Sequence, residues 1–289
     1  VDLAVCPERV MTPSAAKLTI VPKSVALRNR VTLEYVDYGD RAGLPVVFLH
    51  GVTDSWLSFA GVLPHLPASM RCLPISQRGH GRSSRPEHGY RFVDFSEDVA
   101  QFLDALDIPS AILVGHSMGS YVAQRFAIDH PDRVRGLLLV GTFPRLRGNA
   151  GVRELWDTAI STMSDPVDPV LALEFQLSTL ARPIPPASLD AFVEESLKVP
   201  ARVWRATFAE FLEADFSSEL PRIGAPTLIL WGDRDAFFLR DDQIAVRDAI
   251  PGARLVTWPG AGHALHWEDP AQFASDLVAF ADEILAGTP

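Results

Sequence analysis

Cysteine is nearly absent: the 289-residue chain has two, Cys6 and Cys72, too few for a disulfide framework and without the paired spacing that holds a metal. Clustered positive charge is missing as well. Lys and Arg number 26 against 36 Asp and Glu, a formal charge of −10, so a polyanion would meet net repulsion and nucleic acid is not an expected partner. No apolar run is long enough to span a bilayer. The first two dozen residues lack the basic start and apolar core of a signal peptide, which makes the cytoplasm the default expectation. Internal repeats and low-complexity segments are absent. So are the Lys-bearing glycine loop of a nucleotide site, the G-x-G-x-x-G of a dinucleotide site and the His/Cys spacing of a metal site, so neither cofactor nor metal is expected. What remains is an ordinary globular composition, 47% hydrophobic, large enough for one core or one core with an inserted subdomain.

Apolar, β-branched runs recur with turn residues at their ends: "VTLEYVDYG", "PVVFLHG", "RCLPIS", "AILVGH", "VRGLLLVGT", "PTLILWGD" and "ARLVTWPG". Several are continuously apolar, as strands buried on both faces should be. Helical patterns lie between them, such as Asp94–Leu106 and Ser117–His130, the latter stopped by Pro131. This alternation predicts an α/β fold with a mostly parallel sheet covered on both sides. From about Arg145 to Leu220 the strand rhythm is lost, and four proline-punctuated helical patterns take its place. The simplest reading is a helical insertion between two strands, at the carboxyl ends where open α/β sheets bind ligands.

"GHSMG", residues 115–119, places Ser117 between an apolar run and a helical pattern, with glycines two residues to either side. A serine there can serve as a helix cap, but G-x-S-x-G in a strand-turn-helix context is the signature of a nucleophile held on a tight turn. Such a serine needs a base, and the base needs an orienting acid. His263 supplies the base from the glycine-rich loop "WPGAGH" after the last strand-like run; its competitor His266 lies in the apolar-aromatic "ALHWEDP", where packing is expected. Two acids leave the strand "LILWG". Asp233 is placed to bond the turn, whereas Asp235 lies farther into the loop and can turn toward a histidine. For the oxyanion, the candidate donors are the backbone N–H of Met118, directly after the nucleophile, and of Val52, in the loop after "PVVFLHG". His50 is expected to brace that loop and is retained with Trp156 and Trp204 as a candidate substrate contact.

At this point the residues resemble the α/β-hydrolase superfamily, from about residue 25 to the end. "HGVTDSW" is similar to its oxyanion-loop motif, "SQRGHGRSSRP" to its D-x-R-G-H-G-x-S loop and "GHSMGS" to its nucleophile elbow; "GDRD" matches the acid-bearing G-x-x-D, with Asp235 in the acid position, and "GAGHALHWEDP" the histidine loop, with His263 as base. The resemblance implies an eight-stranded sheet with a helical cap after the sixth strand. On that reading residues 1–24 are an N-terminal extension, 25–144 and 221–289 the core, and 145–220 the cap. Two departures stand out: Ser76 replaces the usual Asp before "RGHG", and Ser120 replaces a glycine often found in the elbow. A serine nucleophile and a cap segment without tyrosine point away from dehalogenase and epoxide hydrolase chemistry.

The expected function is hydrolysis of a small or medium, partly apolar carboxylic ester or lactone through a Ser117-His263-Asp235 triad. The alternatives are carbon–carbon bond hydrolysis or cofactor-free perhydrolysis on the same scaffold, or a ligand-binding sensor with a slow triad. A homo-oligomer is compatible with the sequence. Most aromatics of the insertion, including Phe175, Phe208 and Phe211, are expected to pack rather than line a pocket. Arg78, His80, Arg82 and Arg85 are read as a loop-bracing network rather than an anion site.

Overall fold

The apolar runs fold as a single sheet because each central strand has both faces covered, and the period of two sends alternate residues to opposite layers. In chain order the elements begin with β1 (Lys23–Ala26), β2 (Thr32–Tyr35), β3 (Tyr38–Gly39), β4 (Leu44–Leu49), β5 (Met70–Ser76), α1 (Phe92–Ala105), β6 (Ala111–His116), α2 (Met118–Asp129) and β7 (Val134–Val140). Four α-helices follow: α3 (Ala150–Leu155), α4 (Pro169–Ser178), α5 (Pro186–Lys198) and α6 (Ala201–Glu213). The chain then returns to the sheet through β8 (Thr227–Gly232), α7 (Arg240–Ala249), β9 (Arg254–Trp258), α8 (Leu265–Glu268) and α9 (Pro270–Ala286). This computed structural model describes residues 20–287; Cys6 and most of the expected extension 1–24 lie outside them.

Strands run in the order β1-β2-β5-β4-β6-β7-β8-β9, with β3 paired to β5. The β1–β2, β2–β5 and β3–β5 pairs are antiparallel; all others are parallel. The sheet thus has nine strands rather than eight. The difference is the two-residue β3, too short to carry a periodic signal. Val47, Leu49, Leu113, Leu137 and Leu139 pack under α1, α2 and α7. Their neighbours Val46, Phe48, Ile112, Val114, Leu138 and Val140 pack against Phe273, Leu277 and Phe280 of α9. Each fully buried side chain of this size contributes about 1.5–3 kcal/mol, so both layers hold the sheet.

Register aligns Leu49 with Gly115 and Gly115 with Leu139, which brings the carboxyl ends of β4, β6 and β7 side by side. Between β7 and β8 the regular elements are all helical, apart from an isolated bridge, Arg145 to Asp215. With β3 left aside, β7 is the sixth strand in chain order. Among the described residues no helix is long and apolar enough to cross a membrane.

Candidate active site

The turn between β6 and α2 is made by sterics. Ser117 sits at φ 52°, ψ −115°, a region that costs a non-glycine residue on the order of 1–3 kcal/mol and persists only where the surroundings impose it. They do so here. A Cβ on Gly119 would lie 2.0 Å from the Leu49 carbonyl oxygen, and one on Gly115 2.4 Å from that of Gly119, so strand and helix can approach this closely only with glycine at both positions. Ser117 N–H donates to Val140 O at 2.9 Å. Ser120, the departure noted in the elbow, hydrogen-bonds the Ser117 carbonyl at 2.7 Å and stands 3.1 Å from Thr142 Oγ1. The Ser117 hydroxyl itself has no hydrogen-bond partner among the described residues, and Ser117 is 8% exposed.

Asp235 and Asp233 part company after β8. Asp235 Oδ1 accepts from the N–H groups of Phe237 and Phe238 at 2.8 and 3.0 Å, while Oδ2 accepts from His263 Nδ1 at 2.8 Å. The pair is buried, with side chains 0% and 4% exposed. With Nδ1 as donor, His263 Nε2 carries the lone pair, the tautomer a general base needs. Asp233 instead accepts from Gly260 N–H at 2.6 Å and is 41% exposed, so it closes the turn. Among the described residues His266 has no acid partner. It stacks on Phe59 at 4.9 Å, meets Ser58 Oγ at 3.1 Å through Nε2, and is pushed down to about 3 by burial. Glu268, which sequence reasoning passed over, clamps the histidine loop. It accepts from Gly262 N–H at 3.1 Å, Ala181 N–H at 2.6 Å and Arg182 N–H at 3.0 Å.

The loop after β4 is braced by His50. Its Nε2 accepts from Gln77 N–H at 2.9 Å, which makes Nδ1 the donor to Gly51 O at 2.7 Å. Burial holds this histidine neutral, well below its usual pKa. Neither Val52 N–H nor Met118 N–H is donated to an acceptor among the described residues. The carboxylate that Ser76 lacks is supplied from β2: Ser76 Oγ donates to Glu34 Oε2 at 3.0 Å, and Arg82 N–H reaches the same oxygen at 3.0 Å. Arg78 is held by Asp98, Nε to Oδ2 at 2.6 Å, and Arg85 Nη2 donates to Gly81 O at 2.5 Å, so both serve the loop.

Ser117, His263 and Val52 border one cavity. Its other walls are mostly apolar, including Leu155, Phe175, Phe208, Phe211, Phe237 and Phe238, with Asp54, His116, Gln176 and Thr179 as polar exceptions. His50, Trp156 and Trp204 are not among the lining residues. His50 is occupied under the loop, Trp204 is 1% exposed with its ring 5.4 Å from that of Phe175, and Trp156 packs against the core. Phe237 and Phe238, which sequence reasoning passed over, lie two and three residues after Asp235. Gln176 carried no signal, because a glutamine within a helical pattern looks like a surface residue. Among the described residues no group of three or more His, Cys, Asp or Glu is arranged to hold a metal ion.

A family model described as alpha/beta hydrolase fold matches residues 45–270. Among curated proteins, the chain is 28% identical over 284 residues to a non-heme chloroperoxidase from Streptomyces lividans, covering 89% of this chain and 98% of that protein. Among solved structures, an esterase from Rhodococcus sp. ECU1013 superposes with a TM-score of 0.79 at 28% identity, covering 91% of this chain and 99% of that one. A bromoperoxidase from Bacillus anthracis has the same fold, with a TM-score of 0.82 at 24% identity over 91% of this chain and 100% of the other.

Proposed function

We infer that this chain, which belongs to the alpha/beta hydrolase fold family, is a serine hydrolase that cleaves carboxylic esters or lactones through an acyl-enzyme. The observation that carries the reading is the buried 2.8 Å bond between His263 Nδ1 and Asp235 Oδ2 on the cavity that Ser117 also borders. In this mechanism His263 Nε2 takes the Ser117 proton as Oγ attacks the carbonyl carbon. The resulting oxyanion is held by the N–H groups of Val52 and Met118, the latter at the positive end of α2. Asp235 orients His263 and stabilises the imidazolium. Collapse expels the alcohol with the proton from His263; water, activated by the same nitrogen, then releases the acid and restores Ser117. Residues 145–220 act as a cap, a role supported by the contribution of α4 and α6 to the cavity wall. The mainly apolar wall suits a small or medium apolar acyl or alcohol group.

The test is hydrolysis of a chain-length series of p-nitrophenyl esters by wild type and Ser117→Ala. Loss on the order of 10⁴-fold or more is expected; unchanged turnover would rule out Ser117 as nucleophile. Similarity to the non-heme chloroperoxidase favours one second reading, in which hydrogen peroxide replaces water in deacylation and the products are a peroxy acid and free enzyme. Halide oxidation that requires both peroxide and a carboxylic acid or ester would mark it.

A further inference from the structure

The cavity contains a carboxyl group that the proposed mechanism does not use. Asp54 lies two residues beyond Val52, 3% exposed, and no cationic side chain pairs with it among the described residues. Gln176 Nε2 on α4 donates to its Oδ1 at 3.0 Å and to Ser196 Oγ on α5 at 2.7 Å. Oδ2 has a long 3.5 Å contact with Ser58 Oγ, and the Gly51 amide also faces the carboxyl. A point one bond from the Gly51 Cα is 3.1 Å from Asp54 Oδ2 and 2.9 Å from His116 Nδ1, so this oxygen stands beside the residue that precedes the oxyanion donor. The other polar exception, Thr179, is satisfied locally by donating to Gln176 O at 2.7 Å.

Burial without a counter-charge drives the Asp54 carboxyl up to about 8; the nearby Glu195 adds to the rise, and hydrogen bonds from Gln176, Ser58 and the Gly51 amide limit it. The groups facing it are Gln176 on α4, Glu195 on α5, His116 at the end of β6 and, through Ser58, His266 on α8. Burial holds both histidines neutral. Asp54 therefore carries a proton at neutral pH. With Oδ1 accepting from Gln176, the O–H on Oδ2 is a donor without a strong protein acceptor, and a buried donor left without one costs on the order of 1–3 kcal/mol. A ligand oxygen placed there would recover that cost, as an otherwise apolar site does when one polar group fixes orientation.

We propose that Asp54, held by Gln176, determines specificity by donating a hydrogen bond to an oxygen that the acyl chain carries three bonds from the scissile carbonyl carbon. The preferred substrates are then otherwise apolar esters or lactones of 3-oxygenated acids. This rests on the serine-hydrolase reading.

The test compares p-nitrophenyl 3-methoxybutanoate with p-nitrophenyl 3-methylpentanoate, which differ by oxygen in place of methylene. The ratio of their kcat/KM values is corrected for their rates of hydroxide-catalysed hydrolysis. Wild type should favour the ether about tenfold, the worth of one hydrogen bond. Asp54→Leu should bring the ratio to about one, and Asp54→Asn, whose amide still donates, should keep part of the preference. In wild type alone the ratio should fall as pH rises through about 8, because Oδ2 loses its proton and then repels the ether oxygen. That measurement decides the matter should Asp54→Leu fail to fold. A ratio near one in wild type, or a preference that neither pH nor Asp54→Leu alters, overturns the proposal. The Ser117→Ala arm reads the serine mechanism separately: activity on both esters retained in that variant would refute the mechanism, whereas both lost together with no discrimination in wild type would refute the Asp54 role alone.

Discussion

Replacing Asp235 by Asn exchanges one heavy atom and reverses the hydrogen-bonding logic of the proposed base. The amide oxygen can still accept from Phe237 and Phe238 N–H, as Asp235 Oδ1 does at 2.8 and 3.0 Å, so the side chain should stay in place. Its NH₂ then faces His263 Nδ1, where a carboxylate oxygen accepted at 2.8 Å. Two donors cannot face each other, so His263 shifts its proton to Nε2 and presents Ser117 with N–H instead of a lone pair. The charge is lost too. An imidazolium and a carboxylate with charge centres roughly 4 Å apart attract by about 4 kcal/mol at an effective dielectric of 20, close to 10³ in rate. With the tautomer penalty added, kcat should fall about 10⁴-fold. Asp233→Asn is the matched control, because an amide oxygen can still accept from Gly260 N–H and the site is 41% exposed; its kcat should stay within about threefold of wild type. Initial rates on p-nitrophenyl butyrate, with thermal melts to verify folding, make the comparison. An Asp235→Asn enzyme within tenfold of wild type, or an equal loss in Asp233→Asn, would refute the assignment of the acid.

Gly141→Ala would place a Cβ 2.6 Å from His263 Cε1 and Nδ1 at a backbone φ of 52°; displacement of the ring should cost on the order of 10² in kcat with the fold retained, and wild-type turnover would contradict the placement of the ring. Gly119→Ala meets backbone rather than a movable side chain, 2.0 Å from Leu49 O, so urea unfolding should show a loss of about 3 kcal/mol or more, and an unshifted midpoint would show that the elbow can open. Stability should also fall in acid. Burial holds His50, His80, His116 and His266 below the usual 6.5, with His80 at about 4 and His266 at about 3. The unfolded chain therefore binds more protons as pH drops below about 6.5, by roughly 1.4 kcal/mol per pH unit for each histidine. Asp54 is protonated in the fold up to about 8 but ionised above about 4 when unfolded, so it offsets one of those four protons. Melting temperature should decline steeply between pH 6.5 and about 4.5, and a flat profile there would show that these histidines protonate without unfolding.

Much of the scaffold is written locally. Continuously apolar runs specify strands covered on both faces, and the glycines around Ser117 mark a tight turn in the sequence, although what Gly119 must avoid is the Leu49 carbonyl on a neighbouring strand. The chain order of Ser117, Asp235 and His263, with the loops that carry them, is local information as well. Loop placement and the G-x-x-D pattern already single out Asp235 from its neighbour Asp233, but only tertiary structure brings it against His263, which arrives 28 residues later. It also decides the cavity wall. Helical periodicity says that Trp156 and Trp204 are covered, not which covered side chains face an empty space, and the fold gives that place to Phe175, Phe208 and Phe211. Glu34 standing in for the acid missing at Ser76, 42 residues away, and Gln176 holding Asp54 across 122 residues, are pairings between polar residues that carry no periodic signal. They arise because sheet register and helix packing bury the polar groups together, where each must find the other or go unpaired.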